Sequence, residues 1–118
     1  MFKYPFFVTN ELTEEIPDIF IKAAVERIES RKNEKLSDLQ IFILKKLDNY
    51  KVKILNHDEN MGNSFSSMIV DLSDNHEDYN KLKDDNMFIA LSTDEGSVIM
   101  TEDDYKHFED KYKVNDKQ

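Results

Sequence analysis

Residues 86–112, NMFIALSTDEGSVIMTEDDYKHFEDKY, predict a strand, a tight turn, a second strand and a helix. Residues 87–91 form an unbroken apolar run bounded by polar residues, which is typical of a strand buried on both faces. Gly96 can adopt the positive φ that closes a short hairpin, and residues 98–100 supply the returning strand. We therefore place residues 87–91 at the centre of a mostly antiparallel sheet.

The hairpin is followed by a helix with acidic residues in its first turn. The hydroxyl of Thr101 can cap this helix, and the acids that follow lie where the helix dipole favours negative charge. Aromatic residues recur on one side of it and can pack back onto the hairpin: Tyr105, Phe108 and Tyr112. The tail, residues 113–118, has nothing to bury, so we expect it to fray.

The first half of the chain predicts a helical hairpin. Residues 15–31 carry apolar side chains at helical spacing, and Pro17 suits the first turn of a helix. Residues 37–40, Ser-Asp-Leu-Gln, match a capping box, and apolar residues recur at helical spacing through residue 47. We expect these two helices to pack together on one face of the sheet.

The remaining elements are shorter. Apolar residues alternate over residues 2–8 and predict a strand. Because Pro5 cannot donate to a ladder, this strand should lie at a sheet edge or contain a bulge. Residues 51–55 alternate lysine with apolar residues and also indicate an edge strand. Residues 65–72 predict a further strand, and residues 76–83 a short helix. The fold class expected is α+β, as a single domain over residues 1–118.

Composition narrows the class of protein. A chain of 118 residues suits one domain with a core of its own. Cysteine is absent, which rules out disulfides and thiolate chemistry and fits a reducing compartment. Lys3 and Pro5 interrupt the apolar start of the chain, so we expect no signal peptide. No apolar run reaches the length of a membrane span, and we expect a soluble, cytoplasmic protein.

The net charge of −9 is concentrated in one half of the chain. Residues 1–56 contain ten Lys and Arg against nine Asp and Glu, whereas residues 57–118 contain six against sixteen. An acidic surface repels nucleic acid and anionic lipid and attracts basic proteins. The simpler alternative is that the charge only maintains solubility.

Catalytic and metal-binding patterns are missing from the sequence. His57, His76 and His107 each lie beside carboxylates, but none has the second ligand that a helical metal site requires at i+4. The acidic loops do not match an EF-hand, and two glycines cannot form a phosphate cradle. We therefore predict a protein that is not an enzyme and that binds no metal or cofactor.

The acidic clusters of the second half are the candidate functional residues. Each can be explained locally as a cap, a turn or a first-turn residue, but this does not explain why they occupy successive connections. In an antiparallel sheet several such connections can converge on one edge and form a single negative face. Such a face complements the phosphate-binding cleft of a nuclease. The predicted partner-binding residues are Asp74, Glu77, Asp78, Asp84, Asp85, Asp94, Glu95, Glu102 and Asp103.

The chain resembles the small acidic immunity proteins of bacterial polymorphic and contact-dependent toxin systems. The resemblance covers its size, its acidity, its lack of cysteine and the ending LSTDEGSVIMTEDDYKHFEDKY, a hairpin followed by an acidic-capped helix. It implies an inhibitor that binds and neutralises one basic, nucleic-acid-cleaving toxin domain. A second resemblance is to phage-encoded inhibitors that mimic DNA. An acidic adaptor domain without a basic target is the third alternative.

Overall fold

The computed structural model describes residues 6–31, 37–58, 65–83, 86–94 and 96–107. Within these ranges the chain forms a mixed sheet with helices on one face. In chain order the elements are β1 (Phe6–Val8), α1 (Asn10–Glu15), α2 (Asp18–Ser30), β2 (Leu39–Lys46), β3 (Lys51–Asp58), β4 (Phe65–Asp71), α3 (His76–Lys81), β5 (Asn86–Thr93) and β6 (Gly96–Thr101). Residues 102–107 are also helical.

The sheet has six strands in the order β1-β6-β5-β2-β3-β4. Neighbouring strands are antiparallel except for β1, which runs parallel to β6. The predicted α+β class and mostly antiparallel sheet are therefore confirmed. The predicted edge position of the first strand is also correct, because β1 pairs only with β6 among the described strands.

The β5–β6 hairpin forms as the sequence predicts. Thr93 is paired with Gly96, whose φ of 143° is a value that glycine accepts and other residues avoid. Phe88 and Ala90 are fully buried on the face beneath the helices, while Ile89 is 4% exposed on the opposite face. The run is thus buried on both faces, and β5 lies inside the sheet between β6 and β2.

The hydrophobic core lies between α2 and the covered face of the sheet. Phe20 from α2 packs in one cluster with Phe42 from β2 and Phe88 from β5, and all three are fully buried. The rings of Phe42 and Phe88 are stacked, with centroids 5.1 Å apart. Burying an aromatic or branched side chain contributes about 1.5–3 kcal/mol, so this cluster supplies much of the stability.

The predicted second helix is wrong, because residues 39–46 form β2. Gln40, Phe42 and Leu44 are buried under α2, while the residues between them are half-buried on the other face. This alternation has the period of a strand, and the β-branched residues Ile41 and Ile43 favour a strand. The capping signal survives only in part: the Ser37 hydroxyl accepts from the Leu39 N–H at 3.2 Å.

The N-terminal helical hairpin is therefore not formed. The predicted first helix is also divided, since α1 ends before Pro17 and α2 begins after it. Ile16 is extended (φ −118°, ψ 125°), as expected for a residue that precedes proline. The helix over residues 10–15 was missed; its cap is the Thr9 hydroxyl, which accepts from the Leu12 N–H at 3.4 Å.

Residues 51–55 form a strand as predicted, but the predicted edge position of this strand is wrong. They belong to β3, which is paired on both sides, with β2 and with β4. Lys51 and Lys53 lie on the face of the sheet away from α2, and the intervening Val52 is buried beneath the helices. The lysines lie where the face opposite α2 is exposed, as the neighbouring Ile69 of β4 is, and the alternation could not distinguish that position from an edge.

Candidate functional site

The predicted partner-binding residues are divided between the two ends of the sheet. Five of them lie at the end where β2 turns into β3: Asp74, Glu77, Asp78, Glu102 and Asp103. Asp94 lies in the β5–β6 turn, at the opposite end. Asp84, Asp85 and Glu95 lie outside the described residues. Five of the six described members therefore lie at one end of the sheet, and Asp94 lies at the other.

Helix α3 crosses the first of these ends and is attached to the β2–β3 connection. The Tyr79 hydroxyl donates to the carbonyl oxygen of Leu47 at 2.7 Å. Beyond the helix, the Lys46 ammonium donates to the carbonyl oxygen of Leu82 at 3.2 Å. At its start the Asn75 side chain accepts from the Asp78 N–H at 3.2 Å, so the cap holds the first-turn carboxylates at a fixed place.

The end of α3 and the end of α1 border a groove. One part of it, about 330 Å³, is lined by Glu14, Glu15, Lys81, Lys83 and Asn86. An adjoining part, about 290 Å³, shares three of these residues and adds Met87, Thr101, Glu102 and Asp103. The groove is polar and open to solvent, which suits contact with a protein side chain better than enclosure of a small apolar ligand.

A carboxyl pair lies beside this groove. The Asp104 carboxylate accepts from the Thr9 hydroxyl at 2.6 Å. Repulsion from Asp104, together with a hydrogen bond between the two groups, raises the pKa of Glu11 above its ordinary value. Partial burial by itself raises the pKa of Asp104, but hydrogen bonds from Thr9, Thr101 and Glu11 outweigh it and lower that pKa overall. A proton added to the pair therefore goes to Glu11 first.

We call this part of the surface the acidic end. It combines carboxylates from α1, from α3 and the residue before its cap, and from the segment after β6. Its members are Glu11, Glu14, Glu15, Asp74, Glu77, Asp78, Glu102, Asp103 and Asp104. The lysines that line the groove, Lys81 and Lys83, offset part of this charge. The net field at this end is negative and favours cationic partners.

Aromatic side chains lie at the β3 side of the acidic end. Tyr50, in the β2–β3 connection, stacks on His76 with ring centroids 3.6 Å apart and an interplanar angle of 3°. Tyr79 meets Tyr50 edge-on at 5.1 Å. The ammonium of Lys46 lies 4.3 Å from the centroid of the Tyr79 ring. The cluster therefore already holds one cation against an aromatic face.

A second polar cluster is buried at the other end of the sheet. Asp58, 1% exposed, accepts from the Gln40 side chain at 2.8 Å and from the Ser37 N–H at 3.1 Å. Asn56 donates to Gln40 at 3.1 Å and accepts from Arg31 at 3.2 Å. These side chains satisfy one another beneath α2 and are closed to solvent, so we assign them a role in stability.

The described residues contain no group of three or more His, Asp or Glu side chains placed to hold a metal ion. The three histidines are separated: His57 is on β3, His76 begins α3 and His107 is in the segment after β6. Within the same described ranges, no helix has the length and apolar character needed to cross a bilayer.

The comparisons with known proteins concern the fold alone. No protein-family model matches the sequence, and no curated protein matches it. A crystal structure described as a protein of unknown function from Enterococcus faecalis resembles this one with a TM-score of 0.59. The match covers 82% of this chain and 86% of that chain at 17% identity.

Sequence reasoning missed part of the site. Glu11, Glu14 and Glu15 join the acidic end only because the parallel β1–β6 pairing brings α1 beside residues 102–107. No local signal indicates such a long-range pairing. Tyr50 was missed because it lies among turn-forming residues, and no local pattern there indicates a role beyond connecting two strands.

Proposed function

We propose that this protein is a stoichiometric inhibitor that binds a basic partner protein through its acidic end. The most specific form of the proposal is an immunity protein that neutralises a nucleic-acid-cleaving toxin domain. Two observations carry it: carboxylates from three separate parts of the chain lie at one end of the sheet, and those of α1 share a groove with those that follow β6.

Convergence supports binding because local roles do not require it. Asp78 has a local role beside the N-cap Asn75, but capping does not explain why Glu15 from α1 shares a groove wall with Glu102 and Asp103. Carboxylates held at one surface repel each other and lower the stability of the free protein, and a bound cationic partner relieves this repulsion. A partner that binds phosphates presents lysines and arginines, and these complement such a surface.

The first experiment identifies the partner. The tagged protein is used to capture binding proteins from its native host, and mass spectrometry identifies what is bound. The proposal expects a basic protein with nuclease activity, which falls to zero when the inhibitor reaches equimolar concentration. Capture of no basic protein, or nuclease activity that persists at equimolar inhibitor, contradicts it.

The second experiment locates the surface with two variants of identical chemistry. Glu77→Gln with Asp103→Asn changes the acidic end, and Glu26→Gln with Asp94→Asn changes exposed sites elsewhere. Both remove the same charge. At low salt we expect the first variant to slow association with the captured partner by about tenfold, since steering depends on where the charge lies. Equal rates for the two variants would show that only net charge matters.

A further inference from the structure

Tyr50 has a backbone conformation that its side chain disfavours. Its φ is 57°, in the left-handed region, directly after Asn49 with a φ of 61°. Asparagine tolerates this region, whereas a bulky aromatic residue there is an outlier. A glycine or a second asparagine would make the same turn with less strain, so the turn alone does not explain the tyrosine.

The Tyr50 ring does not fill the hydrophobic core. The ring stacks on His76 at 3.6 Å, and the Tyr50 carbonyl oxygen accepts from the Leu72 N–H at 2.7 Å. Nevertheless Tyr50 is 37% exposed, and His76 is exposed as well. The contacts hold the two rings in a fixed orientation at the surface instead of removing them from water.

The surroundings of the stacked pair are acidic. Asp48 is exposed in the same connection as Tyr50, and Asp74 and Glu77 are exposed on either side of His76 in the chain. Lys51, the residue after Tyr50, is also exposed, whereas Lys46 is held against the Tyr79 ring and the Leu82 carbonyl oxygen. An aromatic surface bordered by carboxylates complements a group that is both planar and cationic.

We propose, on the basis of the function proposed above, that Tyr50 and His76 form an anchor site for an arginine side chain of the basic partner. The guanidinium group stacks on the exposed rings and donates hydrogen bonds to the carboxylates of Asp74 or Glu77. A lysine ammonium can satisfy the carboxylates but cannot stack, so the site selects arginine over lysine. Tyrosine and arginine are also the residue types that most often dominate the energy of protein interfaces.

The test uses two fluorescently labelled peptides of equal length and charge, an oligo-arginine and an oligo-lysine, with binding followed by fluorescence anisotropy. We expect the wild-type protein to bind the oligo-arginine about fivefold more tightly, a ratio in the range of an exposed cation–π contact. Tyr50→Asn should abolish this preference. Because asparagine accepts the left-handed conformation, Tm should not fall, which separates lost binding from lost folding.

Phe7→Asn is the matched control, since Phe7 is an aromatic residue 51% exposed on β1, away from the Tyr50–His76 pair. It should keep the preference for oligo-arginine. Equal affinity of the wild type for both peptides, or a preference that survives Tyr50→Asn, overturns the anchor. If Glu15→Gln with Asp103→Asn, which changes only the groove, still weakens binding of both peptides, the acidic end stands without the anchor. If the wild type binds neither peptide, both proposals fail.

Discussion

At the scale of single residues, the Glu11–Asp104 pair makes stability depend on pH. The pKa of Glu11 is raised mainly by repulsion from Asp104, so the folded state holds a proton there more tightly than the unfolded state. The repulsion is fully present above the raised pKa and is relieved as the pH falls through it. We therefore expect Glu11→Gln to raise Tm at pH 7, with a gain over wild type that shrinks as the pH falls through the raised pKa of Glu11.

Thermal unfolding, followed by circular dichroism at a series of pH values from about 7 down to about 3, measures the effect. Glu14→Gln is the control, because it removes the same charge from the same helix but does not contact Asp104 in the way that Glu11 does. An equal gain for both variants at pH 7 would mean that general charge, and not the pair, sets the stability. A gain for Glu11→Gln that grows as the pH falls would contradict the assigned direction.

A second prediction at this scale concerns the buried carboxylate of Asp58. Replacing it by alanine leaves the Ser37 N–H and one N–H of the Gln40 amide without their acceptor, while the other still donates to the Ser37 carbonyl oxygen. Buried donors left unsatisfied cost about 1–3 kcal/mol, so Asp58→Ala should lower the free energy of unfolding by that amount. Urea denaturation measures it against Glu26→Ala, an exposed site on α2 where the change should stay within about 0.5 kcal/mol. Equal losses would show that Asp58 is not part of a satisfied network.

Single residues were predictable where their partners are near in the sequence. Thr101 accepts from the Asp104 N–H at 3.0 Å, which is the cap that the sequence indicated. The Asn75 cap of α3 is local in the same way, because the Asp78 N–H that it accepts from lies three residues on. The pairing of Glu11 with Asp104 was not, because it depends on a strand pairing between the two termini of the described chain.

At the scale of elements, the errors came from residues whose patterns fit two periods. Over residues 39–47 the apolar residues are so dense that both a helical stripe and an alternating pattern can be drawn through them. The period of the apolar residues alone therefore does not distinguish a helix from a strand here. The sheet decides, since β2 supplies Phe42 to the core and pairs with both β3 and β5. The edge position predicted from Lys51 and Lys53 was wrong for a similar reason, because an exposed part of a sheet face tolerates lysine as an edge does.

The central position of β5 gives a prediction for this element. Ile89 is 4% exposed, and truncation to alanine should leave a cavity that costs about 2–5 kcal/mol. Ile69→Ala on β4 is the matched control, because the same side chain is 60% exposed there and its loss should cost less than about 1 kcal/mol. Chemical denaturation of the two variants compares the sites. Similar losses would mean that β5 is not the strand around which the sheet is packed.

At the scale of the whole molecule, the sequence indicated that the negative charge belongs to one half of the chain but not where that half lies. Strand direction decides this: β5 and β6 run antiparallel, so their turn carries Asp94 to one end while Glu102 and Asp103 return to the other. The merging of carboxylates from both halves at the acidic end follows from the parallel pairing of β1 with β6. Pairing order and strand direction are tertiary properties, and no local pattern encodes them.

Crowding of like charge at one end should make folding itself sensitive to salt. Raising sodium chloride from about 0.01 M to about 0.15 M shortens the Debye length from roughly 30 Å to roughly 8 Å, which screens repulsion between neighbouring carboxylates. A chain with a net charge of −9 should then gain stability, and we expect Tm to rise by about 2–4 °C.

Calorimetry of the wild type and of the two charge-matched variants separates local from general repulsion. Glu77→Gln with Asp103→Asn should reduce the salt-dependent gain more than Glu26→Gln with Asp94→Asn does. If both variants retain the wild-type gain, the carboxylates of the acidic end do not repel one another enough to influence folding.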